Sequence, residues 1–330
     1  MKGKLSNDRG ISTIQTSAFN YGGEKHDVID IAEAREILDY DVLVKACKTQ
    51  EGEDIAGINY LVNSRDNCVI PSLGVGDRFV PYQNHDFFDY FTQDIMPQIP
   101  DLKLETVATL HGTGTAFITT NFGDDFKVKG DESPNKFRML ISNDNTGKSS
   151  LLLGFTSVRV VCMNTLAMAR KEVGHDEESF KVRHTETVNS RVGEAVRVIY
   201  AKLRALSEMK ARIDALANKE VSPEMVQKTL NRIYNQNAFE RGSTGFTKLE
   251  NKRTEVIRQF ESGETAQTMT SKSAWALFNA YTFPIFNPKT EKKNSDRAEI
   301  AYRGSVGNVA DRVSKIFNII EEEAGVRIAA

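Results

Sequence analysis

From Asp30 onward the apolar positions Ile31, Ala34, Ile37 and Leu38 recur at the three- and four-residue spacing of one helix face, and Asp30 stands where its carboxylate can cap the first turn. This predicts a helix to about Tyr40. The residues before it lack such a period: Gly3, Gly10, Gly22 and Gly23 are scattered among Ser, Thr and Asn, which predicts a flexible arm over residues 1–29. Past Tyr40 the period shortens to two. Asp41–Lys45 and Ile58–Val62 alternate as strands, and Arg65-Asp-Asn67 supplies the turn into a third, Cys68–Ile70. Arg78–Tyr82 reads as a further strand leading to Asn84, the expected cap of a helix from His85 to near Pro97.

Four extended runs follow, Lys103–Leu110, Thr113–Phe122, Lys136–Ser142 and Ser149–Phe155. Gly112 and the tip Asn143–Gly147 separate successive pairs, so an antiparallel meander is the economical reading. Helices before it and around Asn164–Glu172 would cover its outer face. From Thr187 to Leu216 the stripe Val188, Val192, Ile199, Leu203, Leu206 and Ile213 predicts one long helix. Ser222-Pro223 opens another, and further helices are expected over Thr247–Ser262, Ser273–Tyr281 and Asn308–Glu323. The predicted class is α+β: a β-meander covered by helices in residues 30–185, then an α-helical region in 186–330.

The chain has 330 residues, 40% of them hydrophobic, enough for a substantial core. Its formal charge of -2 argues against a protein that coats nucleic acid by bulk charge, so any such binding must use a local patch. Cys47, Cys68 and Cys162 are widely spaced and no signal-like apolar run accompanies them, which predicts a cytoplasmic protein. No apolar stretch approaches the roughly 20 residues needed to span a bilayer.

The local patch is sought where cations stand in structured sequence. Lys181, Arg183, Arg191, Arg197, Lys202, Arg204, Lys210 and Arg212 face only Glu186, Glu194 and Glu208 over the same stretch. On a helix, Glu194–Arg197, Arg204–Glu208 and Glu208–Arg212 can pair with one another, the alternative to a ligand. Lys148, Arg159, Lys181, Arg183 and His184, on predicted strands and turns, are the nucleic-acid-binding candidates; His184 can equally be a satisfied structural residue. Asn164 is read as a helix cap and Cys162 as a small buried hydrophobe. Asn143-Asp-Asn-Thr-Gly-Lys-Ser149 imitates a phosphate-binding loop, yet a Walker loop needs Gly at position 142, which is Ser, and a helix where a strand pattern follows. Pro100-Asp101 with Asp125-Phe-Lys127 has the order of a Mg²⁺ nuclease site, although Gly123-Asp-Asp125 reads as readily as a turn. No metal site from Cys or His and no cofactor is expected.

Gly76-Asp-Arg-Phe-Val-Pro-Tyr-Gln-Asn-His-Asp-Phe-Phe88, Phe155–Leu166, Lys181-Val-Arg-His-Thr185 and Ala274-Trp-Ala-Leu-Phe-Asn-Ala280 occur in an order and at intervals that resemble the phage and plasmid-like domain of unknown function 932 family. The resemblance spans about residues 30–322. It lacks the Trp-His-Gly element common at the start of that family. It implies a mobile-element origin and a bacterial host, without an activity. The order helix, meander, helix is more loosely similar to single-strand annealing proteins of the Redβ and Rad type, an analogy of fold only. The leading expectation is a non-enzymatic protein that binds single-stranded DNA and promotes annealing. The alternatives are a Mg²⁺ nuclease using Asp101, Asp125 and Lys127, and a host-directed interaction factor without DNA affinity. Trp275, Phe278, Tyr281, Phe283 and Phe286 are read as a core seal or a partner surface, and the face Val309, Val313, Ile316, Phe317 and Ile320 as one needing cover from this chain or from a second copy.

Overall fold

A computed structural model describes residues 12–16, 24–26, 29–99, 102–110, 113–121, 126–147, 151–159, 164–167, 180–182, 184, 208–287 and 308–326. The first half runs β1 (Ser12–Thr16), β2 (Glu24–His26), α1 (Ile31–Leu38), β3 (Val42–Lys48), β4 (Asp54–Asn63), β5 (Val69–Val75) and α2 (Asn84–Tyr90), whose path continues through a π turn to Ile95. It continues with β6 (Lys103–Leu110), β7 (Thr115–Asn121), β8 (Phe126–Val128), β9 (Asp131–Asp144), β10 (Leu151–Arg159), β11 (Asn164–Ala167) and β12 (Phe180–Val182). The second half is helical: α3 (208–218), α4 (Pro223–Ile233), α5 (Thr244–Glu261), α6 (Glu264–Gln267), α7 (Ala274–Phe286) and α8 (Asn308–Ala324). No described helix is long and apolar enough to cross a membrane.

The α+β class and the meander are as the hydrophobic pattern predicts. Among the described residues β11-β10-β9-β7-β6-β1-β2 form the path of a nine-stranded sheet, with β12 on β10 and β8 on β9. The rows Val107–Ile118–Ile141 and Thr120–Met139 put apolar groups on one face, where Phe87, Phe88 and Phe91 and the buried side of α1 join them in one core. Strand alternation gives the other face Thr106, Thr119, Thr115, Arg138, Ser142 and Asp144, all buried as well. A separate sheet, β3-β4-β5, closes a smaller core of Tyr40, Val42, Leu61, Ile70 and Val75.

Serine caps define the helical half. Ser222, Ser243 and Ser273 each accept a hydrogen bond at 3.2 Å from the backbone N–H three residues on, and Pro223 sits in the first turn of α4 where its missing N–H costs nothing. Trp275, Phe278 and Tyr281 of α7 are fully enclosed with Val313, Ile316, Phe317 and Ile320 of α8. Trp275, Phe278, Tyr281 and Phe286 of the aromatic run are therefore core, Phe283 is half-buried, and the α8 face is covered within this chain. The β8–β9 hairpin joins the halves: Val128 lies in the helical core, Glu132 N–H donates to Thr268 O at 3.0 Å, and the indole of Trp275 donates to Asp131 Oδ2 at 3.0 Å.

Several elements differ from expectation. Ser12–Gln15, placed in a loose arm by composition, pair antiparallel with Thr106–Thr109 of β6, and β2 pairs parallel with β1. The Ser, Thr and Gln composition of β1 hides a strand that its backbone ladder defines. Asn164 begins β11, opposite Arg159, where a helix cap was expected. Arg78–Tyr82 forms no ladder; Val80 N–H donates instead to His184 O at 3.2 Å. At α2 the cap position belongs to Gln83, which makes no side-chain cap, because its amide pairs with both backbone groups of Val42 at 2.7 and 3.3 Å and so continues the β3 edge.

Candidate functional site

Asn84, freed from capping, opens a buried polar network at the α2 end of the sheet. Its Nδ2 donates to the Tyr40 hydroxyl at 2.8 Å, and that hydroxyl donates to Thr113 O at 2.6 Å. Burial holds the Tyr40 phenol well above its usual range, with Asn84 and Thr113 pulling the other way. From the β9 end, Asn143 Nδ2 donates to Tyr82 O at 2.6 Å and to Asn84 Oδ1 at 2.8 Å, and Asn145 Nδ2 reaches Tyr82 O at 3.0 Å. Asp144, between them, accepts from Thr115 and from the backbone and hydroxyl of Thr146 at 3.1, 2.9 and 2.6 Å. Residues 143–146 are all buried, so the hairpin tip is a docked turn. Gly147 follows at φ +78, and a Cβ there would lie 3.2 Å from Val75 Cγ1 of β5. The turn thus joins the two sheets.

His184 completes the network. Its Nδ1 accepts from Tyr82 N–H at 3.4 Å, which places the ring proton of the neutral form on Nε2, and its ring lies 5.4 Å from Phe79. Nε2 makes no well-formed hydrogen bond among the described residues, though the Asp144 backbone carbonyl is close enough to favour a proton there. Desolvation dominates: at 6% exposure the ring pKa is pushed down to about 4, despite the opposing pull of Asp144. A neutral, enclosed imidazole cannot meet a phosphate by charge. Its contacts with Tyr82 and Val80 hold the chain immediately beyond β12.

The other candidates are distributed by register. Lys181 stands opposite Leu152 at the start of β10, whereas Arg159 ends β10 opposite Asn135 and Asn164. Leu152 and Arg159 are seven positions apart along β10, about 23 Å at about 3.3 Å per residue. Lys148 and Arg183 lie outside the described residues, as do Asp101 and Asp125 of the nuclease reading; Lys127 is exposed on β8. Of the basic run, the described end is committed within the protein: Lys210 pairs with Asp214 at 2.6 Å, and Arg212 pairs with Glu321 at 2.5 Å and covers the Phe317 ring at 4.9 Å. Cys47 and Cys68 are free thiols, and Cys162 is outside the described residues.

A family model described as Domain of unknown function (DUF932) matches residues 73–301. The chain belongs to the DUF932 family. No curated protein matches it. No solved structure matches it. In this DUF932 member, Gly76–Phe88 and Lys181–Thr185, two segments on which the resemblance rests, meet through Val80, Tyr82 and His184. Tyr82 is the shared node, its N–H given to His184 and its carbonyl to Asn143 and Asn145. These asparagines were absent from the sequence-derived site. Their i, i+2 spacing was a usable signal for a common face, masked by turn-like composition.

Proposed function

We propose that this DUF932 member is a phage or mobile-element protein of the bacterial cytoplasm that binds single-stranded DNA and promotes annealing during recombination. The observation that supports the reading is the anchoring of two cation-bearing segments by one network. Asn143, Asn145 and Gly147 lock a turn whose last described residue precedes Lys148 in the sequence, and His184, the residue after Arg183, is held by Tyr82. Cations rooted on a fixed backbone lose less conformational freedom when they meet phosphates than cations on a loose loop. His184 acts as a positioning residue, and Arg159 belongs to the far end of β10.

The test is anisotropy of labelled single- and double-stranded DNA across a salt series, with Mg²⁺ present and DNA length checked afterwards. Binding should favour single strands, and Lys181→Glu/Arg183→Glu should weaken it and flatten log K against log salt by about 0.7 for each phosphate that is no longer neutralised, with Arg159→Glu close to wild type. Absence of binding at low salt would overturn the proposal. Shortened DNA, abolished by Asp125→Ala, would move the assignment to a nuclease.

A further inference from the structure

A second concentration of positive charge lies in the helical half, built around one ring. Tyr234 ends α4, buried to 5% exposure. Arg312 of α8 donates to its hydroxyl at 3.1 Å and holds its guanidinium carbon 5.9 Å from the ring centre; Lys252 Nζ of α5 stands 6.0 Å from that centre. Lys248 is one helical turn before Lys252 on the same face of α5. Arg253 donates to Tyr234 O at 3.1 Å and to Asn231 Oδ1 at 3.0 Å, both neutral acceptors at the carbonyl end of α4.

Among the described residues none of Lys248, Lys252, Arg253 and Arg312 forms an ion pair, although Glu250 and Asp311 are their sequence neighbours. Three other arginines of this half are matched: Arg212 with Glu321, Arg232 with Glu322 and Glu323, Arg258 with Glu255 and Glu264. The mismatch has an electrostatic cost. Lys252 is held below the usual lysine range by partial burial and then by Arg312 and Lys248, with no acid opposing. Lys248, Lys252 and Arg312 are exposed, so an anion can reach all three, whereas the enclosed Tyr234 ring is not available to stack a base.

We infer that Lys248, Lys252 and Arg312 form a phosphate-binding site, and that the phosphates are those of a single-stranded nucleic-acid backbone. The choice of backbone rests on the DNA-binding reading above; the phosphate chemistry does not. Three exposed cations spread over two helices suit successive phosphates along a strand better than one enclosed monophosphate. Arg253 is the positioning group, tying α5 to the end of α4.

Inorganic tripolyphosphate, titrated calorimetrically, probes the site without DNA. Wild type should bind it, and Lys248→Gln/Lys252→Gln, two exposed changes that leave the core intact, should weaken binding at least tenfold; Arg312→Gln should do the same, each variant being checked by its melting curve. On single-stranded DNA the double variant should flatten the salt dependence by about 1.4, independently of Lys181→Glu/Arg183→Glu. Tripolyphosphate binding equal to wild type in the folded variants, or none in wild type, overturns the site. Loss of tripolyphosphate binding with an unchanged DNA salt slope overturns the nucleic-acid source and leaves a site for free phosphate. Loss of DNA binding at Lys181 and Arg183 alone bears on the first reading only.

Discussion

Arg138 Nε donates to Glu105 Oε2 at 2.5 Å with the two side chains 3% and 5% exposed, so this ion pair is withdrawn from water within the sheet. Glu105 falls at the irregularity in β6 between Leu104 and Thr106, and Arg138 pairs with Asn121 across β9 and β7. Taking both charges from water offsets much of their attraction, but removing one leaves the other in a medium that penalises it. Glu105→Ala is therefore expected to destabilise the fold by about 3–5 kcal/mol, while Glu105→Leu/Arg138→Met recovers most of that loss. Urea unfolding of the three proteins decides it; a double variant no better than the single would show that the pair is not the source of the loss.

Protonation of His184 should be visible in stability. The folded ring has its pKa pushed down to about 4 and the unfolded ring titrates near 6.5, so between those values the unfolded state binds more protons. Above about pH 6.5 the neutral ring costs nothing; as pH falls from there to about 4 the fold loses up to roughly 1.4 kcal/mol per unit, and below that the contribution is flat. His184→Gln should remove this portion of the pH dependence. Wild-type and variant curves that remain parallel between pH 6.5 and 4 would contradict the enclosed neutral ring.

The same segments show what could be read in the sequence and why. Ser222-Pro223 and the 3.6-residue stripe of α8 announce themselves because cap and period are local properties. Asn84 and Asn164 carry the same cap-like chemistry and go elsewhere, one to a network shared with Asn143 and one to a strand pair with Arg159. Local composition cannot tell these fates apart, since the competing partner lies 59 positions away in the first case. The candidate site divides similarly. His184 could be singled out as unusual, but whether it faced solvent or Tyr82 was a question of tertiary packing. Arg159 and Lys181 were grouped from the sequence as binding candidates, and only the β10 register shows that their strand partners stand seven positions apart. The cations around Tyr234 left no linear trace, because Arg312 stands 60 residues beyond Lys252.

Gly147 is predicted to be intolerant of any side chain. Its φ of +78 costs an L-residue about 1–2 kcal/mol, and a Cβ would meet Val75 Cγ1 at 3.2 Å and Gly74 O at 3.6 Å. Gly147→Ala should therefore cost more than the backbone strain alone. Gly52, with φ +92 and nothing within 4 Å, supplies the control, and Gly52→Ala should show only the backbone strain. Equal losses in thermal unfolding would mean that the turn does not bear on β5.

The only tryptophan of the chain, Trp275, is 2% exposed and donates its indole N–H to Asp131 Oδ2 at 3.0 Å, joining the start of β9 to α7. Around it, Thr270 N–H reaches Gly130 O at 2.9 Å and Asp131 bridges Met269. Its fluorescence consequently reports the contact between the halves, while far-UV circular dichroism reports strands and helices throughout. Halves bound by this hairpin should unfold together, giving coincident denaturation curves. Trp275→Phe retains most of the packing volume and leaves Asp131 one donor short, for an expected loss of about 1.5–3 kcal/mol. If the sheet and helices were independent, the fluorescence of wild type would change in a transition of its own before the dichroism, and Trp275→Phe would lower only one of two melting steps.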